Sequence, residues 1–403
     1  MTRIFTRLLG RAAVAASITM LLAGGAAFAQ SGKPIVIGQT LALTGPLGQT
    51  GMVHKIVGEI IMDDLNKAGG LLGRPVEWKL YDDESKGSTA RTQYERLITV
   101  DKVDLILGPY ATEGILAAMT VAQRYKKLYI QNTLGIPHLA TYEGQFSALM
   151  TGAEPQNTFP VRVLQAYADS GFTPKSIAIV TSKFASAQFN SKGMEALANA
   201  RKIPNLYLEY DFGTRDFGAI AARVKDFNPD FIWTGVLGVE GHQILEAYGK
   251  LNYKPKAHLY LYPSPSLAQV PGAEGGISQT SLEDQPPYTN DPLIKHYAEA
   301  FHEKAVKANL PYPFIDSQAG NSFSGWQILI AAVKGANSLD DAKLIAWLEK
   351  NEVTTVMGKR DFKGKFHTNS VDATQIRQVQ NGKWVLVWPR ERALPQSKLM
   401  ANK

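Results

Sequence analysis

The run Ile35-Val36-Ile37-Gly38-Gln39-Thr40-Leu41-Ala42 decides the fold class. It is short, rich in β-branched residues and apolar on both faces, as expected of a strand buried on both sides of a sheet. A loop with Gly45, Pro46, Gly48 and Gly51 follows, and then Met52, Val53, Ile56, Val57, Ile60, Ile61 and Leu65 recur at helical spacing. Gly69-Gly70 ends that helix, and Val76 to Tyr81 alternates as a second strand. The grammar repeats. Ser88 to Val100 reads as a helix, Val103 to Leu107 as a buried strand, the segment through Ala117, Ala118 and Val121 as a helix, and Tyr129-Ile130 as a strand. Strands alternating with helices of this length imply crossover connections and a mostly parallel sheet covered on both faces.

Thr151-Gly152-Ala153-Glu154-Pro155 breaks the pattern, and a second α/β unit begins beyond it. Its strands are Ile177 to Val180, Leu206 to Tyr210, Phe231 to Thr234 and Leu259 to Tyr262, with helices over 157–171, 191–200, 220–224 and 242–251. The proline-rich stretch from Pro263 to Pro292 reads as connecting loops around a short strand. Helices resume over 292–309, 321–336 and 340–349. Asn381-Gly382 between Thr374–Gln380 and Lys383–Trp388 marks a β-hairpin, because that dipeptide suits a type I′ turn. A chain of 403 residues is too long for one core, in keeping with two domains.

Residues 1–29 read as a secretory signal peptide. Arg3, Arg7 and Arg11 form its positive start, Ala12 to Phe28 is uncharged, and Ala27-Phe28-Ala29 places cleavage before Gln30. A periplasmic location is expected. Without the leader's arginines the excess of cations over acids falls from seven to four, too slight and too dispersed for a nucleic-acid partner. Cysteine is absent, which excludes a disulfide scaffold, a thiolate metal site and a cysteine nucleophile.

Open parallel sheets bind ligands beyond the C-terminal ends of their strands. That rule nominates loops 44–51, 109–113, 131–135, 182–188, 235–238 and 263–266. The candidate ligand-binding residues are Thr50, Tyr110, Ala111, Thr112, Thr133 and Gly135 from the first unit, with Phe184, Ser186, Leu237, Tyr262 and Ser264 from the second. Hydroxyls and helix-start amides of this kind can hold a carboxylate without a cation. Thr112 and Thr133 equally suit helix capping. Tyr110, Phe184, Trp233, Tyr260, Tyr262 and Tyr288 fall near strand ends and predict an aromatic-lined cleft, whereas Trp326 belongs to a helix stripe and to the core.

No enzyme pattern is complete. Gly45, Gly48 and Gly51 lack the dinucleotide order, and Gly320-Asn321-Ser322-Phe323-Ser324 lacks a hydrolase elbow's closing glycine. His296, Glu299, His302 and Glu303 read as the polar face of an amphipathic helix. A binding protein without cofactor or metal is expected. A ligand sensor serving a signalling partner and a secreted α/β hydrolase are the alternatives.

Several segments resemble the periplasmic solute-binding proteins of branched-chain amino acid (leucine/isoleucine/valine) ABC transporters. They are Ile35 to Gly38 with Leu43-Thr44-Gly45-Pro46, Asn66 to Gly73, Tyr81-Asp82-Asp83, Ile106 to Pro109, Asp216-Phe217, Pro229-Asp230-Phe231 and Tyr248 to Leu251. The resemblance covers residues 34–390. It implies the type I two-lobed periplasmic-binding-protein fold, α/β, each lobe a mostly parallel sheet flanked by helices, with three inter-lobe crossovers. The first lobe would take 34–152 and 276–352, and the second 153–275 and 353–390.

The resemblance further implies a small organic acid or amino acid clamped between the lobes and a permease as partner; a monomeric chain is expected. The family's carboxylate-binding positions fall near Thr112, Thr133 and Gly135, and its second-lobe aromatic near Phe184 or Ser186. The acidic residue that holds the amino group in leucine-type members would fall near Ser264, where no acid stands. The cysteine pair of some members would fall near Ser85 and Ala111. An ammonium buried without an anionic partner is costly, so the expected ligand is a carboxylate lacking an α-amino group, an aromatic acid in the first instance.

Overall fold

The computed structural model describes residues 32–401, so the signal peptide expected at 1–29 lies outside the described residues. The first lobe opens with β1 (Ile35–Leu41), α1 (Gly48–Lys67), β2 (Val76–Asp82), α2 (Gly87–Thr99), β3 (Leu105–Ile106), α3 (Thr112–Arg124), β4 (Tyr129–Gln131) and β5 (Gln145–Ser147). β1 lies between β2 and β3, parallel to both. A parallel bridge from Leu107 to Ile130 extends the sheet toward the β4–β5 pair. β1 is apolar on both faces because both are covered. Ile35 and Ile37 meet the α1 stripe of Val53, Ile56, Val57 and Ile60 on one side. Leu97, Ile115 and Ala118 of the α2–α3 layer, with Ile106 of β3, fill the other.

The second lobe runs α4 (Pro155–Asp169), β6 (Ile177–Ser182), α5 (Ala185–Ala200), β7 (Asn205–Tyr210), α6 (Gly218–Phe227), β8 (Phe231–Gly238), α7 (Glu240–Lys250), β9 (His258–Pro263) and β10 (Ile277–Thr280). The chain then forms α8 (Pro292–Lys307), α9 (Ser317–Ala336), α10 (Asp341–Leu348), the hairpin β11 (Val353–Thr355) and β12 (Gly358–Arg360), and finally β13 (Gln375–Gln380) and β14 (Lys383–Trp388). The large sheet has the order β14-β13-β10-β9-β8-β6-β7. β6 to β10 are parallel, and the C-terminal hairpin adds antiparallel to β10. Its turn residues Asn381 and Gly382 both have positive φ, as a type I′ turn requires. β6 and β8 are buried along their whole length, which explains why apolar residues dominate both.

Two segments pair differently from the expected lobe boundaries. Residues 277–280, assigned above to the first lobe, form β10 inside the second sheet, so the return crossover begins at Ser281. Conversely, Val353, Val356, Met357 and Phe362, assigned above to the second lobe, are buried in the first lobe's core. The last crossover therefore lies just before β13. Both short segments sit among prolines or turns and carry no periodicity of their own, so only their partners reveal their lobe.

Candidate ligand-binding cleft

The C-terminal ends of β3 and β4 face those of β8 and β9 across a cleft of about 770 Å³, counted out to its solvent mouth. On the first lobe, Gln39 Nε2 donates to Gly108 O at 2.8 Å and the Tyr94 hydroxyl donates to Leu107 O, fixing the turn after β3. A side chain at Gly108 would lie 2.8 Å from Ile130 O, so the close approach of these strands demands glycine. Ala111 then takes φ 68° and ψ 150°, a backbone region that is nearly exclusive to glycine. Its N–H donates to Thr133 Oγ1 at 3.3 Å. α3 begins at Thr112 with no side chain capping its first amides, and Thr112 is buried. A buried, uncapped helix start beside two threonine hydroxyls is suited to a carboxylate.

On the second lobe, Ser182 Oγ accepts from Phe184 N at 3.3 Å at the start of α5. The turn after β8 is held by Glu240, whose carboxylate accepts from Leu237 N at 3.1 Å, Gly213 N at 3.3 Å and the Tyr210 hydroxyl at 3.2 Å. Burial pushes the Glu240 carboxyl up to about 7 despite these donors. Asn190 Nδ2 donates to Tyr262 Oη at 3.1 Å and, across the cleft, to Gly135 O at 3.4 Å.

Eight of the eleven candidate residues line this cavity: Tyr110, Ala111, Thr112, Thr133 and Gly135 from the first lobe, and Ser186, Leu237 and Tyr262 from the second. Three do not. Thr50 is buried in the first turn of α1. Phe184 packs tilted against Phe212, centroids 5.0 Å apart, in an apolar cluster with Ala111 and Leu237. Ser264 Oγ is turned away toward Gln49, to which it donates at 2.6 Å. The expected aromatic lining is also thinner. Trp233 and Tyr260 are fully buried in the second lobe's cores, and Tyr288 donates to Gln375, leaving Tyr110 and Tyr262 from that group. Trp326 is core, as expected.

The remaining wall escaped the sequence reading. Thr151, Ser281 and Thr374 reach it from the three crossovers. Ser278 on β10 and Arg377 on β13 are register partners, and Gln318 and Asn321 come from the first turns of α9. A lone arginine in an otherwise uncharged hairpin strand was the available signal. Arg377 is 1% exposed; its Nη1 lies 3.1 Å from both Glu283 Oε1 and Asp316 Oδ2, and its guanidinium stacks over Trp384. Burial raises the Glu283 carboxyl to about 7, with Arg377 pulling the other way. Among the described residues that line the cavity there is no aspartate or glutamate, and Arg377 is the only cation.

Outside the cleft, His296 pairs with Asp64 and His302 with Pro313 O, two separate surface contacts. Among the described residues, no three His, Cys, Asp or Glu side chains are grouped to hold a metal, and no helix is long and apolar enough to cross a membrane.

Two α/β lobes joined by three crossovers, with a cleft between their strand ends, define a solute-binding clamp. Residues 34–383 match the periplasmic binding protein family, and the chain belongs to it. It is 25% identical over 354 residues to the Leu/Ile/Val-binding protein BraC3 of Rhizobium johnstonii, covering 85% of this chain and 91% of that one. The Leu/Ile/Val-binding protein of Escherichia coli K12 is 25% identical over 373 residues, 88% of this chain and 94% of its own. In fold, the chain is similar to an ABC transporter solute-binding protein from R. palustris in complex with benzoate. The TM-score is 0.73 at 18% identity, over 92% of this chain and 98% of that one. It is also similar to the branched-chain amino acid transporter binding protein of Streptococcus pneumoniae in complex with isoleucine. There the TM-score is 0.72 at 17% identity, over 87% and 98% of the chains. The family is one of solute-binding proteins, not of enzymes.

Proposed function

We propose that this chain is the extracytoplasmic solute-binding component of an ABC uptake transporter for an organic carboxylate without an α-amino group, an aromatic acid in the first instance. The supporting observation is the lining: one guanidinium, an uncapped helix start with Thr112 and Thr133, and no carboxylate to meet an ammonium. The same fold holds benzoate in one relative and isoleucine in another, so the fold leaves the choice of solute to the side chains. The carboxylate sits on Thr112, Thr133 and the first amides of α3, while Leu149, Leu237, Leu261 and the rings of Tyr110 and Tyr262 cover the body of the ligand. Ligand contact with both lobes favours the closed form, which a permease then recognises. The leader at 1–29 directs export to the periplasm. Titration calorimetry of the mature chain against benzoate and leucine tests the reading: benzoate binding with leucine silent is expected, and tight leucine binding alone overturns it.

A further inference from the structure

The cleft has a second polar cluster that a plain carboxylate on α3 leaves unused. Ser278 and Arg377 face each other across the β10–β13 pair, so their side chains share one face of the sheet. Asn321 joins them in the lining from α9, with Gln318 three residues earlier on the same helix. All are at least nine-tenths buried: Ser278 and Arg377 are 1% exposed, Asn321 6% and Gln318 8%. Yet Ser278 Oγ, Asn321 Oδ1 and Arg377 Nε have no hydrogen-bond partner among the described residues. Buried polar atoms are seldom left unpaired, and these line the cavity where a solute would lie.

Resting on the reading above, we infer that the ligand carries a hydroxyl group in addition to its carboxylate, and that Ser278, Asn321 and Arg377 read it. The cluster offers both kinds of partner. Asn321 Oδ1 accepts the hydroxyl proton, while the guanidinium and the Ser278 hydroxyl can donate to its oxygen. A second carboxylate fits less well. The charge of Arg377 is already met by Glu283 and Asp316, and a carboxylate has no proton to give Asn321 Oδ1. An ammonium would meet the guanidinium directly.

The test is calorimetry with benzoate, 3-hydroxybenzoate, 4-hydroxybenzoate and terephthalate on the mature wild-type chain and on Asn321→Ala and Ser278→Ala. At least one hydroxybenzoate should bind about tenfold or more tighter than benzoate, with terephthalate no tighter than benzoate. Each substitution should shrink the ratio of hydroxybenzoate to benzoate affinity, and an unchanged far-ultraviolet circular dichroism spectrum and cooperative melting show that the variant is folded. Equal binding of benzoate and both hydroxybenzoates overturns this inference alone, as does a preference that survives both substitutions or a clear gain for terephthalate. Silence toward every aromatic acid overturns the parent reading and this one with it.

Discussion

Ser264 Oγ donates to Gln49 Oε1 at 2.6 Å, joining the end of the second lobe's central strand region to the first turn of α1 in the other lobe. Ser266 Oγ donates to the same oxygen at 2.8 Å, and His242 Nε2 lies 3.3 Å from that hydroxyl. The position where leucine-type relatives were expected to present an acid thus carries a cross-lobe latch outside the ligand cavity.

Gln49→Ala removes both bonds. They exist only while the lobes are together, so the closed form should lose about 1–2 kcal/mol relative to the open one. Calorimetry should show weaker ligand binding, and small-angle scattering a larger open fraction. Unchanged affinity would deny the latch any part in closure.

Thr112→Val keeps the shape of the side chain and deletes its hydroxyl. Loss of a hydrogen bond to a charged ligand should weaken a carboxylate by about 1–3 kcal/mol, with thermal stability little changed. If affinity holds, Thr112 is not a ligand contact.

Gly135→Val tests closure from the other side of the cleft. A Cβ there would stand 2.8 Å from Ser186 Cβ and 2.8 Å from Tyr262 Oη, both in the second lobe. Overpacking of about 1–3 kcal/mol would fall on the closed state, so affinity should drop about fivefold or more in a chain that still melts normally. Binding at wild-type strength would mean that the lobes bind ligand without meeting here.

Ala111→Gly should relieve the backbone at φ 68° and ψ 150°. Strain of this kind outweighs the entropy that glycine adds to the unfolded chain, so unfolding in urea should require about 1 kcal/mol more. A loss of stability would show that the alanine methyl packs better than the strain suggests.

His54 is buried beside Tyr110, ring centroids 5.0 Å apart, and burial lowers its pKa to about 4 from the usual 6.5, with Gln318 acting against the shift. A lowered histidine pKa gives stability that is complete above pH 6.5 and is lost as the pH falls toward 4, because the unfolded chain takes the proton first. Between pH 8 and pH 4.5 the stability difference should therefore move in favour of His54→Phe by about 2–3 kcal/mol. Urea unfolding at the two pH values measures it; a constant difference would mean that His54 is not held neutral.

The first wall of the cleft was legible because its signals are local. Ile35–Leu41, the α1 stripe and the Gly108-Pro109 turn each declare themselves within a dozen residues, and the strand-end rule carries them to Thr112 and Thr133. The second wall was not. β10 is four residues long among prolines, and Arg377 lies 99 positions beyond Ser278, its partner across the sheet. Phe184 and Ser264 show the limit of the rule: the loop was right, but side-chain direction sent one residue into an apolar cluster and the other across to Gln49.

The sequence by itself determined the alternating α/β grammar and the two units, since periodicity and composition act over short range, while the missing acid near Ser264 is what the family resemblance implies. Tertiary structure alone decided which lobe holds β10 and the β11–β12 hairpin, and which polar atoms meet in the cleft. Those outcomes depend on pairings between distant strands, and a buried group's partners are set by the fold that closes over it rather than by its neighbours along the chain.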